Sequence, residues 1–358
     1  MKKILHIAEP FATGVLSFLS DLTRYQVNDF DIYIIYGIRP LTPSNVEDLF
    51  DKRIHLIRLD SFNGALKSVL NPKVYFEISK LFKQIKPDIV HLHSSAAGFV
   101  GRWAISAKRC PIVYTPHGYS FLMKDCNVIK RSIYRFMEWV SAQRGGTTIA
   151  CSEGEYKEAI KLSPHCTYVN NGINIDQLRT FVNYKEIGDK IKVCTSGRIL
   201  YQKNPKLFNE IAQLLPEFEF IWIGEGELKT ELTSPNIKVT GWCKREDTLK
   251  ILQDAQFFIL PSLWEGLPIS LLEAMYLKKI CLVSNVIGNR DVIKSGRNGI
   301  ICNTAADYAN NIKEIVLGRI NGCLLAENAS KDVDLVYNVE KMASNYKTKY
   351  ITLINKHK

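Results

Sequence analysis

The chain lacks any run of about 18 uncharged apolar residues, so no segment reads as a membrane-spanning helix. Its first residues, MKKILHIAEP, meet Glu9 and Pro10 too early for a signal peptide and read as a first strand. No Cys-x-x-Cys pair occurs. The nine cysteines are odd in number, scattered, and mostly set in apolar strand-like runs. That pattern argues against a disulfide framework or a zinc site and points to reduced, buried thiols in a cytoplasmic protein. No G-x-G-x-x-G string follows a strand, so the usual dinucleotide site is not expected. Neither an aromatic-rich RNA-binding pattern nor zinc-finger spacing is found, and nucleic acid is not an expected partner. Low-complexity segments are missing too.

What remains is the composition of a globular protein, 46% apolar and 23% charged over 358 residues, enough for two domains. The formal net charge is +11, and +7 of it lies in residues 1–180. Such an excess suits an anionic membrane face or a phosphorylated substrate. Lys124, Lys130, Arg131 and Arg135 are the basic residues best grouped for anionic lipid. A solvated basic face explains them equally well.

Strand patterns alternate with helix patterns almost throughout. KKILHIA, DIYIIYG, IHLIRL, IVHLHS, CPIVYTPHG, TTIACS and CTYVNNG read as strands in the first half. Between them lie helical stretches, such as 72–86 with Val74, Ile78, Leu81, Phe82 and Ile85 on one face. A polar, weakly patterned stretch at 174–190 follows, and the alternation then resumes. Near-continuous apolar strands interleaved with helices imply an α/β fold with parallel sheets covered on both faces. The expected division is 1–180, 181–337 and a last helix at 338–358, giving two Rossmann-like domains.

The second half contains the most informative stretch. The run AQFFIL stops at Pro261, a loop carries Glu265 and Gly266, and a helix is expected from Pro268 at its first position. A strand feeding a helix N-terminus offers unpaired N–H groups and a favourable dipole to an anion. Glu265 and Glu273 flank that point and would suit hydroxyls on either side of a diphosphate. Taken alone, a capping residue and a solvated helix carboxylate are the stronger reading of this pair. Arg198 and Lys203 lie five apart in a strand-to-helix loop and could grip phosphate oxygens. Taken alone, two solvated surface cations are the stronger reading of this pair. In the first half, Gly14 opens the loop after the first strand, and His117 ends the fifth strand in Thr115-Pro116-His117-Gly118. Ligands of open α/β sheets lie beyond such strand ends. His91 and His93 share one face of a strand, but no third ligand at a clear spacing accompanies them, so packed histidines are expected over a metal. The two D-x-D strings, at 29–31 and 332–334, open a strand and lie in the tail region, and no metal role is expected for either.

Taken in order, these pieces resemble the retaining glycosyltransferases of family 4, which have the GT-B fold. The matching elements are the Gly14 loop, TPHG with His117, NNGI at 170–173, GRILYQKN with Arg198 and Lys203, IGEGE at 223–227, and EGLPISLLE with Glu265 and Glu273. HSSAAGFVGRWA is also similar to bacterial enzymes that build surface polysaccharides and lipid-linked oligosaccharides. The first loop departs from the family, with Thr13-Gly14 where two glycines are usual.

The resemblance implies two domains facing across a cleft, the last helix packing back on the first, and an acceptor-binding first domain. It implies that Arg198 and Lys203 clamp the donor diphosphate with the N–H groups of Gly266 and Leu267. Glu265 would bond the donor sugar, Glu273 the ribose, and His117 the sugar or its phosphate. Backbone at Cys243 would lie near the base, and Gly14 near a phosphate. The co-substrate would be a nucleotide-sugar, UDP before GDP. The acceptor would be a glycan or a polyprenyl-diphosphate-linked one, and neither cofactor nor metal is expected. Front-face transfer is the implied chemistry, with Glu265 as a covalent nucleophile the alternative. Separately from the resemblance, the cysteine pattern places the chain in the cytoplasm, and the basic excess of the first half suits peripheral contact at the inner membrane face. Two rival activities are a nucleotide-sugar 2-epimerase of the same fold and a non-catalytic sugar-nucleotide or glycan binder.

Overall fold

A computed structural model describes residues 1–39, 42–188 and 190–357. The chain divides into two compact units, Met1–Asn171 joined by the segment from Val339, and Gly172–Asn338.

The first unit runs β1 (Lys2–Ala8), α1 (Thr13–Gln26), β2 (Phe30–Tyr36), β3 (His55–Arg58), α2 (Ala65–Leu70), α3 (Pro72–Ile85), β4 (Ile89–His93) and α4 (Ser94–Ala104). It continues with β5 (Ile112–Thr115), α5 (Val128–Ala142), β6 (Thr147–Ala150), α6 (Glu153–Ala159) and β7 (Cys166–Tyr168). The second unit contains β8 (Lys192–Ser196), α7 (Pro205–Leu214), β9 (Glu219–Ile223), β10 (Ile237–Val239), α8 (Arg245–Asp254) and β11 (Phe257–Leu260). After these come α9 (Ile269–Tyr276), β12 (Ile280–Ser284), α10 (Ile287–Val292), β13 (Ile300–Cys302), α11 (Ala305–Val316) and α12 (Gly322–Val336). The last helix, α13 (Val339–His357), returns to the first unit.

Both sheets are wholly parallel among the described residues. Their strand orders are β3-β2-β1-β4-β5-β6-β7 and β10-β9-β8-β11-β12-β13. In each sheet the strand order reverses beside the first strand, at β1/β4 and at β8/β11. That reversal leaves a crevice beyond the strand ends where ligands bind in such folds. β1, β4 and β11 are buried almost end to end, as strands covered on both faces must be. Local sequence sets the helix limits. Asn71 caps α3 by accepting from Lys73 N–H with Pro72 at the helix start, and Lys86 in the left-handed region (φ 50°) ends it. Thr304 and Asp307 form a capping box on α11.

Three expectations need correction. The first unit ends at Asn171 and not at 180, because Ile173 N–H donates to the Tyr337 carbonyl (2.9 Å) within the second unit. Part of the polar stretch that follows packs on the second core through Tyr184 and Ile187, and Lys185 pairs with Asp254 at 3.0 Å. Pro268 is the residue before α9, with extended ψ (119°), and not its first helical residue. Helix α12 has no counterpart among the expected elements; Leu325, Ala326, Ala329 and Val333 form its buried face. The last helix buries Met342, Tyr346, Tyr350 and Ile354 in the core around β1, as the family resemblance implies.

Candidate active site

In the second unit the loop after β8 turns at Gly197 (φ 143°). It is fixed to the loop after β9 by hydrogen bonds from Gly197 N–H to Ile223 O (3.0 Å) and Ile199 N–H to Glu225 O (2.9 Å). A Cβ on Gly224 or Gly226 would stand 2.3–2.4 Å from the carbonyl oxygens of Gly197 and Ile199, so only glycine permits this approach. The same loop is tied to the β11–α9 turn. Leu263 N–H donates to Gln202 O (2.8 Å), Gln202 Nε2 to Trp264 O (3.0 Å), and Asn204 Nδ2 to Pro261 O (3.2 Å). Residues 198–204 and 261–265 therefore form one body at the β8/β11 reversal.

Lys203 Nζ lies 2.6 Å from Glu265 Oε1, with side chains only 17% and 7% exposed. A carboxylate at that depth needs a cation, and Lys203 supplies it. Gln202 Nε2 approaches Glu265 Oε2 at 3.5 Å. Arg198 is exposed and has no ion pair among the described residues. Glu273, one turn into α9, is also buried, and Arg245 Nη1 meets its Oε1 at 2.7 Å. The readings of Glu265 as a cap and of Glu273 as a solvated carboxylate both fail on these contacts. Gly266 and Leu267 form the turn into α9, which no side chain caps. Gly266 O packs against Gly288, where a Cβ would stand 2.3 Å away. Cys243 lies in the loop between β10 and α8, joined through Gly241 to Gly224 by a β-bridge. The missed residues here are Gln202 and Arg245; no sequence signal marks either, because the burial of Glu265 and Glu273 that calls for partners appears only in the fold.

In the first unit Gly14 lies in the first turn of α1, exposed, and a Cβ at that position would meet nothing within 4 Å. The fold itself does not demand glycine there. His117 follows β5 in the left-handed region (φ 54°) and Gly118 continues it (φ 97°). Glu155, buried at the start of α6, accepts from Gly118 N–H (2.6 Å) and Cys151 N–H (2.8 Å), fixing that turn. Phe18 of α1 packs edge-on to the His117 ring at 4.6 Å. Behind it stand His93 and His91 of β4 and, without a sequence signal of its own, His6 of β1. His6, His91 and His93 bring ligating atoms within 4.8 Å of one another, so the third histidine does exist. Burial lowers the basicity of all four rings, that of His6 and His117 to about 3, so they are neutral at physiological pH. Three of the four D-x-D aspartates have structural partners: Lys347 for Asp29 (2.6 Å), His55 for Asp31 (3.4 Å), and Arg297 with Asn298 for Asp332.

This is the two-sheet architecture of GT-B proteins, with polar groups gathered at both strand reversals. Two family models match: "Glycosyltransferase Family 4" over residues 12–177 and "Glycosyl transferases group 1" over 176–332. The chain belongs to the glycosyltransferases of family 4.

Among curated relatives, the UDP-Gal:α-D-GlcNAc-diphosphoundecaprenol α-1,3-galactosyltransferase of Escherichia coli is 28% identical, over 98% of this chain and 97% of its own. The N,N'-diacetylbacillosaminyl-diphospho-undecaprenol α-1,3-N-acetylgalactosaminyltransferase of Campylobacter jejuni is 24% identical over 86% and 88%. Anabaena HepE, solved with UDP, shares the fold with a TM-score of 0.79 at 16% identity, over 98% of this chain and 100% of that one.

Proposed function

We propose that this glycosyltransferase moves a sugar from a UDP-sugar to a glycan carried on a polyprenyl diphosphate, with retention at the anomeric carbon and without a metal. The observation that carries the reading is the tie between the loop that carries Arg198 and Lys203 and the Glu265 turn into α9, at the β8/β11 reversal. Family membership and the lipid-diphosphate acceptors named for the relatives support it. In this reading Arg198, Lys203, the Gly266 amide and the α9 dipole bind the diphosphate. Glu265, steadied by Lys203, accepts from donor-sugar hydroxyls, and Glu273, steadied by Arg245, from the ribose. The base rests against the Gly241–Cys243 loop. In the first unit, which carries the acceptor in this reading, Gly14 and His117 are the ligand-binding residues, and His117 meets a hydroxyl.

The anomeric C–O bond breaks as the diphosphate departs, and the acceptor hydroxyl bonds to that carbon on the same face. The hydroxyl's proton passes to the departing phosphate oxygen. Preorganised positive charge at the leaving group is the main source of rate. Glu265, already bound to Lys203, acts as a hydrogen-bonding group and not as a nucleophile.

The site of action in this reading is the cytoplasmic membrane face. Helix α5 turns Val128, Ile129, Ile133 and Phe136 outward, each 52–74% exposed, beside Lys130, Arg131 and Arg135. An apolar ridge with basic flanks fits an anionic bilayer.

Differential thermal unfolding tests the nucleotide site. UDP should raise the melting temperature of the wild-type chain, by about 2.7 kcal/mol of linkage at a hundredfold excess over Kd. Arg198→Ala should melt normally without UDP and lose most of the rise. A UDP response undiminished in Arg198→Ala would remove Arg198 from the site.

A further inference from the structure

His117 stands in a turn that its own backbone does not favour. The residue is left-handed (φ 54°), Gly118 after it is left-handed too (φ 97°), and Pro116 before it has no N–H to give. A non-glycine residue keeps such a conformation only where its surroundings impose it. Before the turn, Thr115 Oγ1 is anchored to His91 Nε2 (2.8 Å) and to the Tyr346 hydroxyl (3.3 Å). The His117 ring is held by His93 Nδ1 against its Nε2 (3.1 Å) and by edge-on packing of Phe18. Its Nδ1 makes no hydrogen bond among the described residues.

After the turn, Gly118 N–H donates to Glu155 Oε1 at 2.6 Å. That residue is 1% exposed. Ser152-Glu153-Gly154-Glu155 has the spacing of a capping box, and Ser152 Oγ accepts from Glu155 N–H (3.1 Å), as in one half of such a box. Capping alone is done at a helix surface and needs no buried carboxylate. Glu155 reaches further. Its Oε2 accepts from Cys151 N–H (2.8 Å) just after β6, while Oε1 serves the turn after β5. Cys151 O in turn accepts from Asn171 N–H (3.1 Å), where the chain leaves the first unit. A hydrogen bond to an ionised carboxylate is shorter and about twice as strong as one between neutral groups. One buried side chain thus joins the turn after β5 to the end of β6.

We propose that Glu155 is a positioning residue, whose carboxylate holds the His117–Gly118 turn left-handed and so keeps His117 Nδ1 available to a ligand. Its consequence for sugar transfer rests on the functional reading above, whereas the held turn itself does not.

Glu155→Gln keeps the size of the side chain but sets an NH2 group against one of the two N–H donors. Amide exchange and long-range proton–nitrogen spectra of the full chain, labelled with nitrogen-15 glycine and histidine, read the turn directly. The wild-type Gly118 amide is expected to be protected. In Glu155→Gln it should exchange about tenfold faster, and the His117 ring signals should move while those of exposed His55 stay. A wild-type Gly118 amide as labile as an exposed one, or His117 signals unmoved by Glu155→Gln, would overturn the proposal. If the variant does not fold, the wild-type exchange alone decides. With UDP-sugar and an undecaprenyl-diphosphate-linked sugar, Glu155→Gln should keep the UDP thermal response and lose about tenfold to a hundredfold in transfer rate. In a His117→Ala background it should cost nothing further. An equal loss in both backgrounds is the mark of a general structural role and would also overturn the proposal. A wild-type chain that neither responds to UDP nor transfers sugar would sink the functional reading, and the exchange and ring signals would still decide the turn.

Discussion

Lys203 and Glu265 meet at 2.6 Å with little solvent around either. Removing one partner strands the other charge, so Lys203→Ala should destabilise the chain by on the order of 3 kcal/mol. Adding Glu265→Gln should recover most of that stability without restoring transfer. Urea unfolding of the single and double variants checks this; an unchanged midpoint in Lys203→Ala would show that the pair is a solvated one. Both glutamates and both loop cations are legible in the sequence as residues of the right type at the right spacing. Their pairing is not. Sequence spacing shows which residues reach one strand end, and only the folded loops show that Lys203 turns to Glu265 and that Arg245 reaches Glu273. The histidines show the same limit. His91 and His93 announce a shared face by their alternation in β4, but His6 reaches them through parallel pairing of β1 with β4.

Helix α5 shows why an amphipathic pattern needs a direction. Its apolar residues at 129, 133 and 136 keep helical spacing, yet Glu138, Ser141 and Ala142 are among the buried ones. Periodicity finds a stripe but does not say whether protein or solvent lies against it. If the stripe meets lipid, Ile133→Glu with Phe136→Glu should abolish sedimentation with phosphatidylglycerol vesicles while leaving the melting temperature unchanged. Wild-type binding should weaken with salt, each basic residue contributing about 1 kcal/mol. Sedimentation indifferent to both the substitutions and salt would count against docking through α5. The β–α alternation itself is plain in the sequence, because buried parallel strands are short apolar runs that helices separate. Helix α12 escapes such a reading because it buries mostly small and mixed residues, and its outward face includes Leu324 and Leu335.

At the scale of the whole chain, the buried histidines make stability depend on pH. Burial lowers their folded-state basicity, with His6 near 3, against about 6.5 for an unfolded histidine. The unfolded chain therefore takes up protons first as pH falls. Stability is full above about pH 6.5 and declines below it, by about 1.4 kcal/mol per pH unit for each ring that stays neutral. Urea midpoints that stay level from about pH 7 to pH 5 would contradict that burial. The order of the two units is readable from the sequence, but their boundary is not. The polar stretch at 174–190 has the look of a linker because its few apolar residues, Tyr184 and Ile187 among them, have no local period, although both pack on the second core.

The most direct measurement supplies the purified chain with labelled UDP-sugars and an undecaprenyl-diphosphate-linked sugar, and determines the anomeric configuration of the product. The lipid-linked sugar is expected to gain one residue with the configuration of the donor. An inverted linkage, epimerisation of the donor without acceptor, or binding of UDP-sugar with no transfer would contradict retaining transfer to a lipid-linked acceptor.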